Sequence, residues 1–580
     1  MVFSVRDSKF RSIITVLFVS WFFLIPVFWS VNLSAPSSGY FDMLEMAPYG
    51  VIHVVVFFSL GFLLLYFCRM QRKIVLLSLI LFGLYFPSIQ LVNYPLLTIR
   101  DVYLHSAPVN EILQTGKLSE IADSSASAWP LTFNLHAMLK LVTGIDVVDC
   151  NYVLYACLVI LLALVVFCVG AKLCDRGYKF GFFGALLFPC LFINHLFDNF
   201  HHYSRTALSF VFLFLFFFLF LRARERKNLA LSFFLAIAVI IAHPFQGLAL
   251  VAFVVGYFLF KASNRSLVFT LFVSSFYVGW TFLQNPSEVV SQLQALRTFS
   301  IQEYFKPATV TFVTTKTSVP IWSVYLTDLF KYVLLFLFAL GFLGIAIRVS
   351  RRQLGNEVVS WASSVWFSSL VMLGFLLLLP DWQINRFTAF AAFPAAFSSI
   401  IFLETIFRKN KTLFSRFHLP KKFMTETQLR AILLVLILGL SASVIILRFQ
   451  VNYYYGEMRH QSELTALSYL HEHENSPSTI TFISWRTSIY YNYFDYSHMD
   501  DNLMLWYLDL NKIRGNFSEV LMYENDIISR STYVVRGFRD SYTLGVGLEG
   551  VVQELDNSTL KEFNRYYSNG FFELYCRENP

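Results

Sequence analysis

The 580-residue chain is 56% apolar and 18% aromatic, with only 14% charged residues and a net charge of +8. A soluble globular chain carries about a quarter charged residues, so that class is excluded, and the mean hydropathy of +0.58 indicates a polytopic membrane protein. The positive charge sits in short loops with no basic-aromatic array, which argues for contact with lipid headgroups and against a nucleic-acid partner.

In chain order, apolar runs long enough to cross or nearly cross a bilayer fall at 12–31, 50–68, 74–92, 151–171, 180–197, 206–221, 228–243, 246–260, 266–283, 329–347, 358–379, 387–407 and 431–447. That makes about thirteen transmembrane helices. The short runs 228–243 and 246–260, separated by His243-Pro244, form either a full hairpin or a shallow re-entrant one. Each run is followed by another rather than by a cleavage site, so none reads as a removable signal.

Lys and Arg set the orientation. Arg6, Lys9, Arg11, Arg69, Arg72 and Lys73 fall on one side, as do "RARERK" at 222–227, Lys261, Arg265 and "RVSRR" at 348–352. The opposite connections are poor in cations. The alternation makes the N-terminus cytoplasmic and the tail extracytoplasmic. The sequons at Asn32, Asn516 and Asn557 agree with it, and the one at Asn264 does not.

Two domains are expected: a membrane domain over 1–448, with a large first outer loop at 93–150, and an extracytoplasmic α/β domain over 449–580. In the tail, "SELTALSYLHEHE" at 462–474 predicts an amphipathic helix. "STITFIS" at 478–484 and "STYVVRG" at 531–537 predict strands, and "NRYYSNGFFELY" at 564–575 a hairpin turning at Asn569-Gly570. The seven cysteines show neither metal-ligand spacing nor a disulfide framework.

Ionisable residues recur at span ends on the outer side. The first loop opens with Asp101 and His105. "HLFDNFHHYSR" at 195–205 follows, with Asp198, His201, His202 and Arg205, then His243, then "PDWQINRF" at 380–387 with Asp381 and Arg386. Such groups at membrane depth are costly and ordinarily face a protein interior or cavity. Their gathering on one leaflet predicts a polar site opening outward. Within the first loop, "APVNEILQTGKL" and "WPLTFNLHAMLKLVTGI" each predict a short helix. The second carries a stripe of Leu131, Leu135, Met138, Leu139 and Val142, suited to the interface with its apolar face in lipid. A polar site under interfacial helices suits a substrate with a lipid tail and a polar head.

An Asp shortly after a span, then "YLH", "EILQTGKL", a Trp-Pro and an amphipathic helix resembles the first outer loop of GT-C superfamily glycosyltransferases. "FDNFHHYSRTALSF", "AHPFQGLALVAF" and "DWQINRFTAFAAFPAA" are similar too, and a small α/β tail ending in "YYSNGFFELY" resembles the archaeal members. The resemblance implies a membrane glycosyltransferase that uses a polyprenyl-phosphate-linked (dolichol-type) sugar. It implies a glycan, lipid or protein acceptor outside, in protein glycosylation or cell-envelope synthesis. On it, Asp101 takes the place of the acidic residue that acts as catalytic base or, in oligosaccharyltransferases, as a metal ligand. Asp198 takes that of a second outer-loop acid, and Arg386 that of the arginine contacting the lipid phosphate. "SWRTSIYYNY" at 484–493 stands where oligosaccharyltransferases carry Trp-Trp-Asp-Tyr-Gly, which speaks against transfer of a whole glycan to asparagine.

The residue types fit that chemistry: a carboxylate can take the proton of an attacking hydroxyl, and a guanidinium can hold the departing phosphate through paired hydrogen bonds. The remaining candidates each read two ways. His105, sharing a helix face with Asp101, either orients the carboxylate or binds substrate phosphate, or is a satisfied interfacial histidine. Arg205 is a phosphate clamp or a snorkelling span-end cation. Arg386 binds phosphate or pairs with Asp381. His243 caps a helix or contributes to a polar substrate site. Asp101 and Asp198 could hold a divalent cation, Mg or Mn, whereas His201 and His202 read better as a hydrated turn. The phenylalanine run "FVFLFLFFFLFL" at 210–221 is expected to face lipid. A transporter or flippase of a lipid-linked or small anionic substrate is the alternative. It would place polar groups near the midplane of two similar halves, and neither feature is visible.

Overall fold

The computed structural model describes Ile80, residues 97–117, 129–173, 203–222, 226–284 and 356–377, most of 390–397, and strands within 458–576. Contacts divide the chain into two compact units. One comprises 1–93, 152–301 and 320–450; the other comprises 94–151, 302–319 and 451–580. The first outer loop, read from sequence as part of the membrane domain, thus groups with the tail.

In this second unit a short strand β1 (Leu97–Ile99) leads straight into helix α1 (Arg100–Thr115). β1 pairs antiparallel with β2 (Met458–His460), Leu97 opposite His460. The helix expected from Ala107 begins a full two turns earlier and runs through Pro108. A proline inside a helix forfeits one backbone bond and crowds the preceding turn. Here it is carried by a face on which Val102, Ala107 and Val109 are buried. Gly116, at φ 76°, ends the helix, its amide bonding the Ile112 carbonyl at 2.9 Å.

Helix α2 (Leu131–Thr143) follows Trp129-Pro130 and stops at Gly144, at φ 72°, whose amide returns to the Lys140 carbonyl. Helix α3 (Val147–Leu173) is capped by Asp146, which accepts from the Val148 amide at 3.1 Å. Val109, Phe133, Ala137 and Val147 form the core joining these elements, with Ile112 and Leu113 against it. A separate sheet orders its strands β3-β4-β6-β5. β3 (Ile480–Phe482) pairs parallel with β4 (Tyr533–Gly537). β6 (Phe572–Cys576) pairs antiparallel with both β4 and β5 (Asn564–Ser568). β3, β4 and β5 fall within the segments predicted as strands and β6 runs one residue beyond its segment, to Cys576, while the helix at 462–474 lies outside the described residues.

The first unit contains α3 from Tyr152 onward, with α4 (Arg205–Leu221), α5 (Arg226–Ala242), α6 (Pro244–Phe260), α7 (Asn264–Gln284) and α8 (Asn356–Leu377). By length and composition α3, α7 and α8 are each able to cross a membrane. The uncertain pair 228–243 and 246–260 is two separate 17-residue helices, each about 26 Å long. The remaining expected spans lie wholly or mostly outside the described residues, so the total of about thirteen stays an expectation.

Aromatic stacking holds the bundle. The rings of Phe216 and Phe253 meet edge-on at 5.7 Å, and those of Phe220 and Tyr257 at 4.8 Å. Phe214 stacks on Phe393 at 4.4 Å, and Phe210 lies 4.9 Å from Phe390. The phenylalanines of α4 expected to face lipid are therefore largely inside: Phe210, Phe214, Phe216, Phe217 and Phe220 are all buried. Serines tie α8 to its neighbours. Ser368 donates to the Ala249 carbonyl at 2.6 Å and Ser360 to that of Phe260 at 3.4 Å, so α8 runs antiparallel to α6. The Trp361 indole donates to the Phe217 carbonyl at 2.8 Å. In an apolar surround such hydroxyls and small side chains let helices approach closely. Gly256 is one such point, where a β-carbon would fall 2.7 Å from the Phe367 ring.

Candidate functional site

Arg205 is the first residue of α4, half-buried, behind a Ser204 cap that accepts from the Ala207 amide at 3.1 Å. Serine at this position satisfies one of the donors a helix leaves over at its start. His243 does the same for α6. It ends α5, and its Nδ1 accepts from the Phe245 amide at 3.3 Å, with Pro244 in the first helical position. That bond places the proton of the neutral ring on Nε2. The sequence expectation of a helix boundary at His243-Pro244 is met.

The ring pairs Phe216–Phe253 and Phe220–Tyr257 advance together, so α4 and α6 run parallel. The same offset carried back to their amino ends sets Thr206 level with His243. Two helix starts, each the positive end of a backbone dipole, thus open at one end of the bundle, with Arg205 and His243 on them. Gln246, in the first turn of α6, is 1% exposed, and its Oε1 has no hydrogen-bond partner among the described residues. Sequence reasoning passed over it. A lone amide in "HPFQGLALVAF" was the signal.

In the second unit Asp101 is the second residue of α1, described by its backbone only. His105, one turn on, is 8% exposed, with its ring 6.1 Å from that of Phe133. Glu111 is buried on the same helix. His136 of α2 is nearly sealed, and its Nε2 donates to the Val147 carbonyl at 2.8 Å. Burial drives its pKa down from the usual 6.5 to about 4, against smaller upward pulls from that carbonyl and from Asp146. It therefore sits in the unit as a neutral donor fastening α2 to the start of α3.

The face of α2 turned inward carries Thr132, Phe133, His136 and Ala137. Its outward face is apolar: Met138, Leu141 and Val142 are 60%, 73% and 84% exposed. Met138 and Val142 of the predicted stripe are thus exposed, and Leu131, Leu135 and Leu139 half-buried.

Asp198 and Arg386 lie outside the described residues, as do His201 and His202. Among the described residues no three His, Cys, Asp or Glu side chains lie together as a metal set. The structure accordingly brings Arg205 and His243 to one end of the first unit and sets Asp101 and His105 on one helix of the second.

No family model matches the chain, and no curated protein matches it. Among solved structures, ArnT from Cupriavidus metallidurans bound to undecaprenyl phosphate is similar at a TM-score of 0.47 and 10% identity, over 87% of this chain and 97% of that one. The same protein in the apo state scores 0.44 at 9% identity, over 83% and 93%. Likeness at that level does not establish a shared fold.

Proposed function

We propose that this chain is an integral membrane glycosyltransferase of GT-C type. It moves a sugar from a polyprenyl-phosphate-linked donor to an acceptor hydroxyl on the extracytoplasmic side. The observation that carries the reading is the shared end of α4 and α6, where two positive helix starts, Arg205 and His243 are level. Helix starts with a guanidinium beside them suit a phosphate. Phe390, shortly after Arg386 in sequence, packs on Phe210 in the early turns of α4, which favours Arg386 as a second phosphate ligand at that end.

In the reaction the acceptor oxygen forms a bond to the anomeric carbon, and the bond from that carbon to the phosphate oxygen breaks. The bonding pair leaves with the polyprenyl phosphate, and the acceptor's proton passes to the Asp101 carboxylate. Arg386 and Arg205 hold the phosphate as its charge grows. His105, buried against Phe133, positions the first turn of α1 that carries Asp101 rather than touching phosphate. Asp198 is assigned as a second outer-loop carboxylate, an oxygen donor of the kind Mg or Mn takes. The outward apolar face of α2 rests in the lipid interface.

The test is transfer in proteoliposomes supplied with a polyprenyl-phosphate sugar and an acceptor. Asp101→Asn, which keeps shape and loses the base, is expected to cut the rate by about 10² to 10⁴ at unchanged expression. Wild-type rates in that variant would remove Asp101 from the mechanism. Vesicle counterflow with no covalent product would replace the enzyme by the transporter.

A further inference from the structure

At the end of the bundle opposite Arg205 and His243, where α6 finishes and α7 and α8 begin, lies a cavity of about 90 Å³. Its polar side includes Lys261, Ser263, Arg265, Ser266, Glu357 and Tyr257, and its apolar side Phe220, Leu229, Phe269 and Trp361. We infer that this cavity binds a phosphoryl anion, with hydrocarbon attached to it able to lie along the apolar wall.

Among the described residues the cavity is lined by two cations and one carboxylate. Lys261 pairs with Glu357 at 2.8 Å, which accounts for one of the three ammonium donors; Tyr257 lies against the same ammonium, its ring centre 5.9 Å away. Desolvation is the largest single influence on the Lys261 pKa and lowers it, but the hydrogen bond and charge of Glu357 together with Tyr257 outweigh it and raise the pKa. Arg265, exposed at the cavity mouth, adds a second cation, and among the described residues no carboxylate pairs with it. It occupies the first turn of α7, where the helix dipole disfavours positive charge. An anion at this place relieves the guanidinium and the dipole together.

Donors are also in place. Ser263 and Ser266 cap α7 reciprocally, each amide donating to the other's hydroxyl at 3.1 Å. This occupies those two amides and leaves the amides of Asn264 and Arg265 beyond the reach of the helix ladder. A fork of guanidinium donors and an ammonium exceed what a single carboxylate can accept and suit the oxygens of a phosphate. The Trp361 ring is fixed by its bond to the Phe217 carbonyl, so the apolar wall is preformed.

The purified full-length chain in non-ionic detergent is titrated with dioleoylphosphatidylglycerol and with dioleoylphosphatidylcholine, and bound lipid is counted by native mass spectrometry. The anionic lipid is expected to be retained about tenfold more tightly, as a charge-assisted hydrogen bond or two would give. Arg265→Gln should erase most of that preference and Arg265→Lys keep part of it. Lys172→Gln, an exposed cation in the last turn of α3 that does not line the cavity, should leave it intact. Displacement by millimolar inorganic phosphate would identify the phosphoryl group as sufficient; resistance to it would identify a lipid headgroup with its chain. Equal retention of the two lipids would overturn the assignment, as would equal losses in Arg265→Gln and Lys172→Gln. Because the measurement uses neither donor nor acceptor, its failure leaves the transfer reading standing, and the reverse holds too.

Discussion

Helices α2 and α4 are both apolar, yet they spend their side chains in opposite ways. α4 turns its phenyl rings inward to meet Phe253, Tyr257, Phe390 and Phe393. α2 buries a histidine and a threonine and leaves Met138, Leu141 and Val142 outside. Hydrophobicity therefore marks residues that avoid water without saying whether a protein or a lipid neighbour replaces it. What decides is the partner surface: α4 has aromatic helices beside it, and the inward side of α2 has a backbone carbonyl that needs a donor.

The contrast can be broken by substitution. The largest effect is expected at Phe217, whose ring meets those of Phe214, Phe253 and Phe393. Phe217→Ala should cost about 3–5 kcal/mol, read as a lowered thermal midpoint in detergent. A midpoint equal to wild type would mean that α4 faces lipid after all. Next is Gly256→Ala, which drives a β-carbon onto Phe367 and should cost about 1–3 kcal/mol. Gly279→Ala, with nothing within 4 Å of the added atom, should be neutral or slightly stabilising in the same assay.

His136 gives a pH signature. Its folded pKa of about 4 lies below the ordinary 6.5, so the unfolded chain takes up a proton first as pH falls. The stability it supplies is whole above pH 6.5 and is lost as pH falls towards 4. By pH 5 the loss should be about 2 kcal/mol. His136→Phe keeps the bulk and gives up the bond to Val147, so it should be about 1 kcal/mol less stable at pH 7 but flatter in acid. Amide exchange across α2 and the first turn of α3 reads both; identical acid profiles would reject the buried neutral ring. The smallest effect belongs to Val142→Gln, expected within about 0.5 kcal/mol. Val142→Cys carrying a fluorophore should nonetheless be quenched by brominated lipids, and an unquenched label would place that face in water.

Among the described residues the helical layout was legible because long apolar runs and prolines mark helices directly. The break at His243-Pro244, the strands near 480, 533 and 564–576 and part of the apolar stripe of α2 could be read from pattern. Others could not. Pairing of β1 with β2 joins residues hundreds of positions apart through backbone groups that every residue carries, so no local pattern announces it. The inward phenylalanines of α4 were misread because lipid and protein interior select the same side chains. At the candidate site, charge made Arg205 and the Asp101–His105 turn visible. The level start of α4 and α6 needed tertiary register, and Gln246 passed unnoticed because an uncharged amide hardly lowers local hydropathy.

The pairing of Leu97–Ile99 with Met458–His460 also orders events during biosynthesis. The strand leading into Asp101 leaves the ribosome early, but its companion emerges only after more than three hundred further residues have been made. Until then the loop bearing the proposed base must wait with a bare edge, so a chain stalled or cut before residue 458 would lack the clasp at the root of α1, however well its spans had inserted.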